Sequence, residues 1–172
     1  WNVLDADVLD LLAVVRREDF VPPAYRSLAF MDIEVPLLGN DAEEAVRRGH
    51  SMLQPRVEAR VLQDLQIQPT DRVLEIGAGS GYMAALLAAR AERVVSLEIN
   101  PELAEMAREN LRDAGVQHAD VRLGDGARDA ARRRRKPGTS GGGSGSGSTA
   151  IVCLHGSGQF PAGRWPPFRS AS

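Results

Sequence analysis

The chain has a single cysteine, Cys153, among its 172 residues. One thiol excludes an internal disulfide framework and is typical of a reducing compartment, so we expect a cytoplasmic location. No window reaches the roughly 18 consecutive apolar residues that span a bilayer, and the first residues lack the basic and then apolar pattern of a signal peptide. The sequence therefore predicts a protein that is neither secreted nor embedded in a membrane.

Other absences narrow the function further. The formal net charge is −2, which gives no reason to expect a nucleic acid or an anionic membrane as a specific partner. The histidines and the cysteine lack zinc-like spacing, and we predict no metal site. No G-x-S-x-G nucleophile elbow is present, which argues against an α/β-hydrolase. The basic run at 132–136 is compatible with phosphate contact or a nuclear address but favours a solvated linker.

The composition changes after Gly126 and divides the chain into three parts. We expect a substrate-side segment with a cofactor-binding α/β domain over 1–130, a basic and Gly/Ser-rich flexible linker over 131–150, and an irregular tail over 151–172. The stretch "TAIVCLHG" is compatible with a fourth strand, whereas "SGQFPAGRWPPFRSAS" has no helix or strand period. Because the first residue is tryptophan, we expect the natural start to lie upstream.

The first fifty residues predict a helix followed by irregular chain. Apolar residues at helical spacing, from Val8 to Val15, predict an amphipathic helix over 6–18. The double proline of "FVPPAY" ends it, and "MDIEVPLLGND" indicates extended chain and a turn. We interpret the polar stretch 40–50 as a surface insertion with some helical character.

From Pro55 onward, helices and strands alternate. The first helix of this part has an apolar stripe that consists of Val57, Val61, Leu62 and Leu65. The apolar run ending at Ile76 predicts a strand, "YMAALLAARA" a helix, and "RVVSLEI" a second strand. Asn100 supplies a cap for the next helix, Gly115 a left-handed end, and "DVRLGDG" a third strand. This order predicts an α/β domain with a parallel sheet.

Three glycines at alternate positions, Gly77, Gly79 and Gly81, follow the first strand in "VLEIGAGSGYM". A strand, a glycine turn and a helix present backbone N–H groups at the carboxyl edge of a sheet, where a nucleotide-like ligand can approach closely. The dinucleotide fingerprint needs a glycine at the position of Tyr82, so a pyrophosphate cofactor is disfavoured.

The stretch resembles the E-x-G-x-G-x-G signature of S-adenosylmethionine-dependent methyltransferases, with Glu75 as its acidic residue. Glu98 ends the second strand, where a carboxylate accepts hydrogen bonds from ribose hydroxyls, and Asp125 lies where the adenine edge is expected. The resemblance implies S-adenosyl-L-methionine as cofactor. The implied cofactor-binding residues are Glu75, Gly77, Ala78, Gly79, Ser80, Gly81, Glu98, Ile99, Asp125 and Gly126.

Residues 1 to about 127 resemble the protein-L-isoaspartate O-methyltransferase family. The resemblance rests on "REDFVPPAYRSLAFMDIEVPL", "PRVEARVLQDLQIQPTDRVLEIGAGSGYMAALLAA", "VVSLEINPELAEMARENLRDAGV" and "GDGA", in this order. It implies a Rossmann-like methyltransferase fold whose C-terminal strands are missing here, with marginal stability in isolation. It also implies methyl transfer to the free carboxylate of L-isoaspartyl residues in damaged proteins, which are the expected partners of a monomeric enzyme.

The acceptor side departs from this family. A T-I-S-x-P-like segment supplies hydroxyls there, whereas this chain has Ser51, Met52, Leu53, Gln54 and Pro55. We expect Ser51 and Gln54 to act as catalytic residues from a flexible loop, although a polar loop residue is also compatible with simple solvation. No general base is expected, because a carboxylate is already ionised at pH 7. A methyltransferase of another substrate class and a non-catalytic remnant stay open as alternatives.

Overall fold

The computed structural model describes residues 5–39, 41–126, 128, 149–153 and 163–164. Residues 131–148 of the predicted linker, including the basic run at 132–136, and most of the predicted tail lie outside the described residues, whereas the last two residues of the predicted linker, Thr149 and Ala150, belong to a strand. The α-helices are α1 (Ala6–Val14), α2 (Ala42–Arg47), α3 (Pro55–Leu65), α4 (Tyr82–Ala88) and α5 (Pro101–Asp113). Two 3₁₀-helices span Arg17–Phe20 and Pro23–Leu28. The strands are β1 (Val35–Pro36), β2 (Ser51–Met52), β3 (Arg72–Ile76), β4 (Arg93–Glu98), β5 (Ala119–Leu123), β6 (Thr149–Cys153) and β7 (Gly163–Arg164).

A five-stranded sheet of order β5-β4-β3-β6-β7 forms the centre of the fold. β3 pairs in parallel with β4 and with β6, and β4 pairs in parallel with β5. The predicted α/β class with a parallel sheet is therefore confirmed, and the stretch "TAIVCLHG" contributes the fourth parallel strand. One expectation is wrong, because Gly163–Arg164 adds a short antiparallel strand beside β6 in a stretch that has no strand period.

The helices between the strands follow the local signals of the sequence. Asn100 caps α5, since its side-chain oxygen accepts hydrogen bonds from the amides of Glu102 and Leu103. Gly115 follows α5 with φ +70°, as a left-handed end requires. Every residue of α4 is buried, and the Tyr82 ring at its start lies 5.4 Å from the Phe20 ring of the N-terminal segment. Within the described ranges, no helix has both the length and the apolar composition that a membrane crossing requires.

The N-terminal helix is shorter than its periodicity predicts. α1 ends at Val14, and the chain continues through the 3₁₀-helix Arg17–Phe20 instead of one helix over 6–18. The predicted apolar face is confirmed, since Val8 is fully buried and Val15 packs against the core. Val15 after the helix is extended, and further along Arg17 turns inward and donates through Nε to the carbonyl oxygen of Ala29 at 2.7 Å.

A small hairpin connects the N-terminal segment to α3. β1 and β2 pair antiparallel, with Val35 opposite Met52 and Pro36 opposite Ser51. The stretch between them contains α2, which confirms the predicted helical character of the insertion. Ser51 therefore lies in a strand, and the expectation that it belongs to a loop is wrong. The sequence around Ser51 did not indicate this pairing, because the partner strand lies more than ten residues earlier in the chain.

Candidate functional site

The glycine turn after β3 adopts backbone angles that few other residues allow. Gly77, Gly79 and Gly81 have φ values of +90°, +53° and +84°. A Cβ atom at Gly81 would lie 3.0 Å from the carbonyl oxygen of Ala107, so the turn also passes close to the backbone of α5. The alternate glycines thus let the chain reverse at the carboxyl edge of the sheet and enter α4 at Tyr82.

Glu98 joins the glycine turn to the start of α5. Its side chain is buried at the end of β4, where Oε2 accepts a hydrogen bond from the Gly79 amide at 3.0 Å and Oε1 accepts one from the Asn100 amide at 3.0 Å. A carboxylate offers about four acceptor sites, so these two bonds leave capacity for ligand hydroxyls. Backbone donors therefore hold Glu98 in place at the position where the sequence predicts a ribose contact.

Glu75 lies inside the sheet instead of on the edge. It is fully buried, the Ser96 hydroxyl donates to Oε2, and no donor among the described residues reaches Oε1. Burial raises the pKa of Glu75 to about 8, the Ser96 hydrogen bond opposes the shift, and the nearby charge of Glu98 adds to it. An unpaired buried oxygen at this depth is a site that a bound ligand or water would satisfy.

Two apolar side chains border the same edge of the sheet. Ile99 and Leu123 follow or end neighbouring parallel strands and are 67% and 57% exposed. Ligand sites are lined mainly by apolar side chains with a few polar groups, so these two side chains are candidates for the apolar lining of a site at this edge. The sequence analysis predicted Ile99 as a site residue but missed Leu123. The position of Leu123 at the end of the third strand is the signal that could have identified it.

Asp125 and Gly126 follow β5 at the same edge. The Asp125 carboxylate accepts a hydrogen bond from the Arg128 amide at 3.3 Å and pairs with the Arg128 side chain at 3.3 Å. Gly126 is buried, and a Cβ atom there would lie 2.4 Å from Cγ2 of Ile76. Glycine is thus needed at 126 because β3 approaches closely. Asp125 is half-buried and lies on the same edge of the sheet as Glu98.

The other predicted residues of the turn present mainly backbone groups to a ligand. Ala78 and Ser80 are 5% and 3% exposed, so their side chains present little surface to a ligand. The Ser80 carbonyl oxygen accepts a hydrogen bond from the side-chain amide of Asn110 at 2.9 Å, which ties the turn to α5. Among the residues that the structure describes, no three His, Cys, Asp or Glu side chains are grouped so that they could hold a metal ion.

A narrow cleft brings the acceptor-side candidate and the glycine turn together. Ser51 and Leu53 line it on one side, and Gly77 and Gly79 on the other. The Ser51 hydroxyl donates to Oε2 of Glu34 at 2.6 Å. Gln54 does not line this cleft. It precedes α3, and its side-chain oxygen accepts a hydrogen bond from Nε of Arg56 at 3.2 Å.

A buried ion pair adjoins the cleft, which its Glu58 helps to line, and the sequence gave no prediction of this pair. Arg17, only 3% exposed, pairs with the buried carboxylate of Glu58 and donates through Nη2 to the Leu53 carbonyl oxygen at 2.6 Å. Its guanidinium also lies 5.2 Å from the centre of the Tyr82 ring. Arg17 thereby fixes the backbone of the segment that carries Ser51.

Glu58 occupies a core position in α3. The buried residues of this helix are Glu58, Ala59, Leu62 and Leu65. The buried face of α3 is therefore shifted by about one residue relative to the predicted apolar stripe. As a result, Val57 and Val61 are only partly buried. Burial raises the pKa of Glu58 to about 8, while the Arg17 guanidinium opposes that shift. A polar residue beside an apolar stripe is the signal that could have identified this position.

A second cavity, of about 430 Å³, lies between α5 and β5. Arg108, Arg112 and Val121 are among the residues that line it. None of the candidate residues lines this cavity, and it has no contact with the glycine turn. We therefore place the candidate site at the carboxyl edge of the sheet.

A family model matches the region that contains every residue of this site. The model of protein-L-isoaspartate(D-aspartate) O-methyltransferase matches residues 2–133. The chain belongs to this family. The resemblance inferred from the sequence is thereby confirmed. The strands β6 and β7 of this isoaspartate methyltransferase family member lie outside the region that the family model matches.

Curated relatives support the same assignment. The protein-L-isoaspartate O-methyltransferase of Myxococcus xanthus is 42% identical over 126 residues, which are 73% of this chain and 55% of that protein. The protein of the same name from Methanoculleus marisnigri is 42% identical over 122 residues, covering 71% of this chain and 51% of its own length. This chain thus spans about half the length of the curated relatives it matches.

Solved structures agree on the fold. A protein-L-isoaspartate O-methyltransferase with 27% identity superposes with a TM-score of 0.60 and covers 72% of this chain and 38% of that chain. A Plasmodium falciparum protein described as a putative member, solved in complex with S-adenosyl-L-homocysteine, has 18% identity, a TM-score of 0.57, and coverage of 71% and 57%. Both have the fold that the sequence predicts for this family.

Proposed function

We propose that this chain binds S-adenosyl-L-methionine and transfers its methyl group to the free carboxylate of L-isoaspartyl residues in damaged proteins. The observation that carries the proposal is the buried Glu98 carboxylate, which accepts from the Gly79 amide at the carboxyl edge of a parallel sheet. Membership of the isoaspartate methyltransferase family gives the reaction class.

The residues at this edge fit the cofactor. The three glycines of the turn have no Cβ atoms, so a ligand can approach the backbone closely, and Oε1 of Glu75 is a buried polar atom without a hydrogen-bond partner among the described residues. Glu98 would accept from the ribose hydroxyls, Asp125 from the adenine edge, and Ile99 would pack against the base. The bound cofactor supplies an electrophilic methyl group on a sulfonium.

The acceptor needs positioning more than activation. An ionised carboxylate is already a nucleophile at pH 7, so this chain's contribution is to align it and to exclude water. Ser51, which lines the cleft, and Gln54, which precedes α3, are the polar residues that we assign to this task. Arg17 supports the arrangement because it holds the Leu53 carbonyl oxygen.

We also propose that the chain acts as a monomer in the cytoplasm, with no nucleic acid or membrane partner. The lone Cys153 and the net charge of −2 support this part of the proposal. Substrate proteins with isoaspartyl sites are then its only macromolecular partners.

Calorimetric titration with S-adenosylhomocysteine tests the cofactor site. We expect binding by the unsubstituted chain, loss in Glu98→Ala and weakening in Asp125→Ala. Glu109→Ala is the matched control, because it removes the same charge from an exposed position of α5. No binding by a folded sample would refute the cofactor site and favour the non-catalytic alternative.

Methylation of an isoaspartyl peptide tests the acceptor. Turnover with this peptide and none with its aspartyl isomer supports the proposed reaction. Binding of the cofactor with methylation of a different acceptor would assign the chain to another substrate class, an outcome that the donor-free side chain of Leu53 favours.

A further inference from the structure

The hairpin of β1 and β2 touches the carboxyl edge of the central sheet at two places. One contact is apolar, since Cδ1 of Leu37 lies 3.5 Å from the position that a Cβ atom at Gly79 would occupy. The other contact is polar, since Nδ2 of Asn100 lies 3.3 Å from Nε2 of His50. Within the hairpin, the His50 carbonyl oxygen accepts a hydrogen bond from the Leu37 amide at 2.9 Å. The two contacts therefore belong to one hydrogen-bonded unit.

The cap of α5 fixes the orientation of the Asn100 side chain. Its Oδ1 accepts hydrogen bonds from the amides of Glu102 and Leu103 at 2.8 and 3.3 Å, so its NH₂ group is the part that faces His50. An NH₂ group only donates, and Nε2 of His50 is therefore the acceptor of this bond. It follows that the neutral imidazole of His50 carries its proton on Nδ1.

The hydrogen bond between His50 and Asn100 joins the two halves of the candidate site. His50 directly precedes Ser51, which lines the cleft beside the glycine turn. Asn100 donates through its backbone amide to Oε1 of Glu98 at 3.0 Å, and Glu98 is the carboxylate that we assign to the ribose. Two residues thus connect the acceptor-side serine to the proposed ribose contact.

We propose that His50 is a positioning residue, which holds the strand of Ser51 against the cofactor-binding edge so that the cleft keeps the spacing that both ligands need. The inference rests on the proposed function for the places of the two ligands. His50 acts through Asn100 on one side and through Ser51 on the other, and it carries out no chemical step itself. Loss of its hydrogen bond weakens the binding of both ligands, because the two walls of the cleft are then less well fixed to each other.

Three substitutions test this hydrogen bond from both ends. His50→Ala removes the acceptor, whereas His50→Gln replaces it with an amide oxygen of similar reach. Asn100→Ser removes the donor and keeps the cap of α5, because serine and asparagine are similarly good caps. His118→Ala is the matched control, since His118 is exposed and directly precedes β5, at the amino edge of the sheet.

Two titrations measure the two ligands. Calorimetry gives the affinity for S-adenosylhomocysteine, and fluorescence anisotropy in its presence gives the affinity for a labelled isoaspartyl peptide. We expect about threefold to tenfold weaker binding of each ligand in His50→Ala and in Asn100→Ser, since one hydrogen bond is lost. The double variant should bind no more weakly than His50→Ala, because both substitutions remove the same bond. His50→Gln and His118→Ala should bind both ligands as the unsubstituted chain does.

The nitrogen chemical shifts of the His50 ring in the free chain give a separate readout, and they should show the proton on Nδ1. The inference is overturned by a proton on Nε2, by unchanged affinities in both His50→Ala and Asn100→Ser, or by a loss in His50→Gln that equals the loss in His50→Ala. Failure of the proposed function is a different result, in which the unsubstituted chain binds S-adenosylhomocysteine and does not methylate the isoaspartyl peptide. The affinities of the variants for S-adenosylhomocysteine then still decide the role of His50, and a folded chain that binds no S-adenosylhomocysteine would overturn both.

Discussion

At the scale of single residues, Arg17 is the side chain with the largest expected effect on stability. It compensates the buried carboxylate of Glu58 and donates to two backbone carbonyl groups, those of Ala29 and Leu53. Arg17→Met leaves the buried Glu58 carboxyl group and two backbone carbonyl oxygens without their donor, and we expect a loss of about 3–5 kcal/mol in the free energy of unfolding. Urea denaturation followed by circular dichroism measures this loss.

Two variants separate the buried charge from other effects of Arg17. Arg16→Met changes the neighbouring arginine, whose side chain is 67% exposed, and should leave the free energy of unfolding nearly unchanged. The double variant Arg17→Met with Glu58→Met should recover part of the loss, because it removes the buried carboxyl group that has lost its donor. Equal stability of Arg17→Met and Arg16→Met would contradict the compensating role of the ion pair.

The raised pKa of Glu75 predicts how the free energy of unfolding depends on pH. Burial raises its folded pKa from 4.5 to about 8, so the folded chain binds more protons than the unfolded chain between these values. The contribution of Glu75 is complete below pH 4.5 and falls as the pH rises to 8, with a slope of up to about 1.4 kcal/mol per pH unit. Glu75→Gln should flatten the decline between pH 5 and 8 in urea denaturation, and Glu109→Gln, at an exposed site, should not. Identical slopes for Glu75→Gln and the unsubstituted chain would show that Glu75 is ionised in the folded state.

At the scale of elements, the glycine turn and α5 constrain each other. Gly81 and Gly115 both have positive φ, +84° and +70°, but they differ in their surroundings. A Cβ atom at Gly81 meets the Ala107 carbonyl oxygen at 3.0 Å, whereas a Cβ atom at Gly115 has open space. Alanine at either position costs backbone strain, and Gly81→Ala should cost at least about 1 kcal/mol more because α5 must move. Thermal unfolding of both variants tests this, and equal losses would mean that strain alone matters at Gly81.

At the scale of the whole molecule, the sequence predicted the features that are determined by residues close to each other along the chain. The glycine turn, the Asn100 cap and the Gly115 end are local signals, and all three have the predicted geometry. Contacts between distant residues were not predictable in this way. The Arg17–Glu58 pair joins residues 41 positions apart, and its Glu58 lies on the buried face of α3, where the sequence predicted apolar residues alone. The Ser51–Glu34 bond likewise depends on the pairing of two strands of two residues each, which have no detectable period.

The pairing of β3 with β6 joins the residues that are farthest apart in the chain among the paired strands of the sheet. A cysteine in β6 allows this pairing to be measured by chemical labelling. Cys153, the one cysteine of the chain, lies opposite Ile76 in this pairing, and burial raises the pKa of its thiol. A higher pKa leaves less of the reactive thiolate at neutral pH, and docking against β3 limits access to it. Labelling with a chromogenic disulfide should therefore be at least about tenfold slower in buffer than in urea. Equal rates would mean that β6 is not docked in solution, and the cofactor-binding edge would then have to form from β3, β4 and β5 alone.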